Sequence, residues 1–205
     1  QVSYGSTNAK LSNKDDYPYF SRTIPPDSIQ GAAMWRFIKR FEVPLVTFMY
    51  QEEPYGEGLW QMVSDASSHV GEAWRVMPVC VRYMPGAYDV EEAREKINRA
   101  IGMAARVILM AFTADQAASL IPIASEMGLI GSGYQVVGSE AMPYMNHKGH
   151  VGVGWMYFSP VSRGRLFPRF ADMWRNMTAE DVMGEVAMKH YGIDLFRNPL
   201  NLTKV

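Results

Sequence analysis

The chain has 205 residues, 48% of them hydrophobic and 20% charged, which excludes a disordered, collagen-like or coiled-coil protein. Twenty Lys and Arg against 21 Asp and Glu leave a formal charge of −1, too weak a positive field for a dedicated nucleic-acid binder, so the expected partner is a small molecule. A single cysteine, Cys80, excludes an internal disulfide and a CxxC zinc site, and reads as a buried apolar thiol.

The chain opens on Gln1, and Val2–Ser3–Tyr4 already has the character of a strand, with no charged leader before it. The expectation is a piece of a longer protein whose N-terminal part is missing. A second extended segment, Tyr17–Ile24, leads to Asp27, which can cap a helix with Gln30 three positions on; Ile29, Ala33, Phe37, Ile38 and Phe41 then form one apolar stripe. Four apolar or β-branched runs follow, at Val43–Tyr50, Val76–Tyr83, Arg106–Thr113 and Tyr134–Glu140. They start roughly 30 residues apart, the spacing of successive βαβ units.

Between the runs, Leu59, Met62, Val63, Ala66 and Val70 line one helix before Gly71, and Asp89 with Glu92 opens the next. Thr113 with Gln116 opens a third, whose stripe of Ala117, Leu120, Ile121, Ala124 and Met127 ends at Gly128 and contains Pro122, expected to bend it. His150–Phe158 alternates glycine with apolar residues in the manner of a closely packed strand, and Phe167–Met173 and Ala179–Tyr191 look helical. These elements predict an α/β fold, a parallel sheet flanked by helices. The uncharged stretches Met127–Ser139 and Gly149–Ser162 fall short of a membrane span. The triplets starting at Asn176 and Asn201 are N-glycosylation acceptor patterns.

Catalytic patterns are missing. No GxGxxG follows a strand, no phosphate-binding P-loop is present, and the glycines between Gly128 and Gly133 lie after a helix, where they make a turn. His147 and His150 form an HxxH pair without a third ligand at useful spacing, and His69 and His190 stand alone in helical segments. Neither a GxSxG nor a supported cysteine nucleophile occurs. No enzymatic activity, cofactor or metal is expected.

In an open parallel sheet, ligands bind beyond the carboxyl ends of the strands, where helix N-termini expose donors. That rule selects Thr7, Asp27, Tyr55 and Glu140. Two carboxylates and an aromatic ring suit a protonated amine, and a threonine hydroxyl with nearby backbone N–H groups suits a carboxylate, so together they could hold an α-amino acid. Each also has an ordinary reading: Asp27 as a helix cap, Tyr55 as a loop anchor, Glu140 as a solvated carboxylate.

The segments 2-VSYGST-7, 11-LSNK-14 and 17-YPYFSRTIPPD-27 resemble the middle of the extracellular Venus-flytrap domain of class C G-protein-coupled receptors, the metabotropic glutamate and γ-aminobutyric acid type B receptor group. The similarity continues through Tyr55–Gly56, 106-RVIL-109 and 136-VVGSE-140 and covers roughly residues 1–160. It implies a periplasmic-binding-protein-like type I lobe, with residues 1–25 ending a first lobe and crossing the hinge, 26–160 forming the second, closing lobe, and 161–205 a helical part returning toward the hinge. It further implies that Thr7, with Ser6 beside it, holds the ligand carboxylate while Asp27, Tyr55 and Glu140 surround its amino group. The family's glutamate receptors carry aspartate where this chain has Glu140, and a serine they often carry is Gly5 here. The implied function is sensing of a glutamate- or γ-aminobutyrate-like amino acid at the extracellular face of the plasma membrane. The implied partners are the missing first lobe, a receptor dimer, and a membrane domain outside this chain. A soluble or periplasmic amino-acid-binding protein and a receptor guanylate cyclase ectodomain share the architecture.

Overall fold

The computed structural model describes residues 1–68, 74–82, 89–129, 131, 133–142, 154–160 and 164–177. The chain divides into two compact units, residues 1–160 and 161–205.

Unit 1 opens with β1 (Val2–Ser3), a 3-10 turn (Ala9–Ser12) and β2 (Ser21–Arg22), where β1 and β2 form a separate two-stranded parallel ladder. The extended segment expected over Tyr17–Ile24 shortens to Ser21–Arg22. The chain turns first, with Tyr17 donating its N–H to Asn13 O and Phe20 donating to Tyr17 O, and Pro18 supplies no donor.

The body alternates helix and strand: α1 (Asp27–Arg40), β3 (Leu45–Gln51), α2 (Pro54–Ser68), β4 (Arg75–Val81), α3 (Val90–Gly102), β5 (Val107–Ala111), α4 (Ala114–Glu126), β6 (Gln135–Gly138) and β7 (Met156–Tyr157). The five strands lie in the order β4-β3-β5-β6-β7 and every pair is parallel, an α/β arrangement consistent with the type I binding-protein lobe that the resemblance implies. Alternate side chains feed two cores. On one face Val46, Phe48, Leu109, Ala111 and Val137 meet Met34 and Ile38 of α1 and Leu59 and Val63 of α2. On the other, Met49, Val79, Val81, Ile108, Met110 and Phe112 meet Ala93 and Ile97 of α3 and Leu120 and Ala124 of α4. Both faces are covered, which is why the strands read as near-continuous apolar runs rather than as strict alternation.

The starts of α3 and α4 follow local chemistry, while that of α1 does not. Asp89 caps α3 by accepting the N–H groups of Glu91 and Glu92, and Gln116 accepts the N–H of Thr113 at 2.9 Å at the start of α4. Asp27 does not cap α1: it is the first helical residue, Pro26 holds the cap position, and the Gln30 side chain reaches elsewhere. Helix α4 runs continuously through Pro122 and stops before Gly128, whose φ of 76° is the left-handed conformation glycine adopts at helix ends. Helices α1 and α2 cross closely at Gly31, where a Cβ would stand 2.4 Å from Met62 Cβ. No helix among the described residues is long and apolar enough to cross a membrane.

Of the expected strand over His150–Phe158, Met156–Tyr157 is a strand, while residues 150–153 lie outside the described residues. Also outside them lie His69, His147, His190, Asn201 and the expected helix 179–191. In unit 2 the described element is α5 (Phe167–Asn176), where Phe170 stacks on Trp174 and Asn176 is the last helical residue.

Candidate functional site

The strand order reverses direction at β3, whose neighbours are β4 on one side and β5 on the other, and a crevice opens beyond the carboxyl ends at such a point. Gln51 ends β3 and α2 begins three residues later. At the turn, Gly56 comes so close to the strand that a Cβ would lie 2.4 Å from Gln51 O. Tyr55 is therefore in the first turn of α2 rather than in a loop, aimed by a helix start pressed against the end of β3. Across the switch point Gln116 of α4 donates to Glu53 Oε1 at 2.7 Å, tying the segment before α2 to the start of α4.

Glu140 follows β6, whose end is clamped to β5: Ser139 N–H donates to Met110 O at 2.8 Å, and its buried hydroxyl donates to Phe112 O at 3.3 Å. The N-terminal segment is held by Arg22, whose guanidinium donates to Ser6 O and Asn8 O, both at 3.0 Å, and to Ser12 Oγ at 2.8 Å. Thr7 O in turn accepts the Asp27 N–H at 2.8 Å, which docks this segment on the N-terminus of α1. Ser6 takes part in its own turn, its hydroxyl 2.8 Å from that of Ser3.

These supports converge on a cleft of about 430 Å³. All five residues expected at a ligand site line it: Ser6, Thr7, Asp27, Tyr55 and Glu140. Thr113 lines it too; the sequence marks this residue only as the opening of α4. A smaller hollow of about 120 Å³ shares Thr7, Asp27 and Glu140 with this cleft and is otherwise lined by residues that include Ile24, Pro25, Ile29 and Phe158.

The two carboxylates stand in different surroundings. Glu140 Oε2 accepts the Tyr55 hydroxyl and, at 3.0 Å, the Gln30 amide. Burial, and then the adjacent Glu140 charge, push the Tyr55 phenol well above its usual range, so it stays a donor at any physiological pH. Asp27 is 2% exposed, and neither of its carboxylate oxygens has a hydrogen-bond partner among the described residues. Desolvation raises its pKa from 3.8 to about 6. The Thr7 side chain offsets part of that rise without reaching hydrogen-bond geometry, Glu140 adds to it, and Arg22 opposes it.

A buried carboxylate without a donor is costly, and the deficit is removed by a cation that brings its own N–H groups. Metal chemistry has less to work with, since no group of three His, Cys, Asp or Glu side chains is gathered among the described residues. Cys80, half-buried on β4, has its thiol pKa raised by burial, which disfavours the reactive thiolate. Gln30 is the participant that sequence reasoning assigned to a different task, the cap of α1.

Comparison with known proteins bears on this cleft. Residues 1–192 match the family described as the receptor family ligand binding region. A stretch of 57 residues is 44% identical to the "Probable metabotropic glutamate receptor mgl-1" of Caenorhabditis elegans. That match covers 28% of this chain and 6% of the relative.

Proposed function

Because the chain belongs to the receptor ligand-binding region family, we propose that its cleft holds one half of an extracellular α-amino acid and that a second lobe closes over the other half. The observation that carries this reading is Asp27, buried and unpartnered in a cleft that it shares with Tyr55 and Glu140. An ammonium group supplies what Asp27 lacks: a positive charge and N–H donors that replace the water lost on burial. The Tyr55 ring adds a face that attracts cations. Thr7 and Ser6, which line the same cleft, offer hydroxyls to the ligand carboxylate.

On this reading the protein binds its ligand without transforming it. Ligand stabilises the closed arrangement of the lobes by the difference between its affinities for the closed and open states, and that difference is the signal passed to a membrane domain outside this chain. The similarity to a protein named as a probable metabotropic glutamate receptor supports an amino acid as the ligand class and the cell surface as the location.

The test is calorimetric titration of the full-length protein with a panel of L-amino acids and γ-aminobutyrate, repeated on Asp27→Ala and Glu140→Ala. Removing a buried carboxylate that faces an ammonium costs on the order of 2–5 kcal/mol, about 30-fold or more in affinity. Saturable binding lost in both variants is the expected result. Binding that survives both changes, or no binding by any panel member, refutes the assignment.

A further inference from the structure

Resting on that reading, we infer that Gln30 is a positioning residue of the binding site: it ties down Glu140 and so fixes where the second carboxylate stands when an amine enters. Gln30 lies one helical turn after Asp27 on α1, so one helix carries both the unpartnered carboxylate and the tether of its neighbour. Its amide Nε2 donates to Glu140 Oε2 at 3.0 Å, on the oxygen that also takes the Tyr55 hydroxyl. No donor from the described residues reaches Oε1, which leaves that oxygen to the ligand.

Gln30 lines the smaller hollow, which shares Thr7, Asp27 and Glu140 with the larger cleft, and is absent from the walls of the larger one. On a ligand held in the larger cleft it therefore acts through Glu140 rather than by touching it. The tether is needed because a glutamate has three side-chain torsions, and the like charge of Asp27 drives its carboxylate away from the place where both could face one cation. The charged and titratable groups that act on Asp27 are Glu140 from the end of β6, Arg22 from β2 and Tyr55 from α2. Of these, Glu140 is the one Gln30 holds.

A double-mutant cycle on the full-length protein tests this, using Gln30→Met, which keeps the volume and removes the donor, Glu140→Gln, and the pair. Affinity is measured for the panel member that binds the wild type most tightly, and thermal unfolding of the ligand-free protein is measured in parallel. Gln30→Met is expected to weaken binding about tenfold in the wild-type background, the scale of one hydrogen bond to a charged group. In the Glu140→Gln background the same change is expected to cost less than about twofold, because the side chain that Gln30 holds no longer carries the charge that faces the amine. An equal loss in both backgrounds, or a loss of thermal stability with affinity unchanged, overturns the assignment and leaves Gln30 a structural residue. Absence of any binding by the wild type overturns the amino-acid reading itself, a different result from binding that ignores Gln30.

Discussion

The body of the sheet is held by apolar packing on both faces, whereas the rim at its carboxyl end gathers polar groups, one of them a buried carboxylate. Four of the five buried polar residues among those described are partnered: Ser139 donates to Phe112 O, Gln116 donates to Glu53, Thr47 rests its hydroxyl 3.8 Å from Met103 Sδ, and Gln51 also has a partner, while the half-buried Tyr157 of β7 leaves its hydroxyl without one. At the rim Asp27 is as deeply buried as those four and has none. Satisfying buried groups is the rule in native proteins, and an unpartnered carboxylate is a costlier departure from it than the Tyr157 hydroxyl. On the proposed reading, the part of the lobe that keeps it folded is distinct from the part that meets the ligand.

Breaking the body is the larger effect. Phe48, fully buried on β3 against α1 and α2, is expected to cost about 3–5 kcal/mol when changed to Ala, read by denaturant unfolding, and ligand binding should fall with it. The rim should respond with the opposite sign. Asp27→Asn removes a buried charge and is expected to stabilise the ligand-free protein by about 1–3 kcal/mol at pH 7.5 while abolishing amine binding. The pH dependence has a definite direction. Because the folded-state pKa is raised from 3.8 to about 6, the stability linked to this group is fully present below about 4 and is lost as pH rises through 6. The advantage of Asp27→Asn over wild type, followed by melting temperature, should therefore shrink on acidification across that window. The smallest effect sharpens the contrast from outside: the exposed Arg94–Glu126 pair, 2.8 Å apart between α3 and α4, should contribute at most about 0.5 kcal/mol, so Glu126→Gln should leave both stability and binding nearly unchanged.

The body was the legible region because its rules are local and repeated. Apolar runs about 30 residues apart gave four parallel strands with ends shifted by two residues or fewer at each described boundary, and Asp89 caps the helix it opens. The short elements were harder. Tyr17–Ile24 has the composition of a strand, yet two turn hydrogen bonds leave only Ser21–Arg22 to pair, and a strand that short depends on its neighbour rather than on its own sequence.

At the rim the positions were legible and the partnerships were not. The ends of strands pointed to Thr7, Asp27, Tyr55 and Glu140, and the fold brings them to one cleft. Spacing alone put Asp27 and Gln30 into one capping box, since an aspartate followed three residues later by a glutamine fits that pattern. In the structure Pro26 takes the cap position, which moves Asp27 inside the helix and releases Gln30 to reach a residue 110 positions away. A contact that long in sequence leaves no local signal, and Gln30 could not have been found without the fold.

Calorimetric titration of the full-length protein at pH 6 in two buffers of different ionisation heat tests most directly whether the buried Asp27 carboxylate meets the ligand ammonium. The predicted result is a fractional proton released per amino acid bound, visible as a difference in heat between the buffers, that disappears together with tight binding in Asp27→Asn. Equal heats in both buffers, with Asp27→Asn binding as tightly as the wild type, would contradict it.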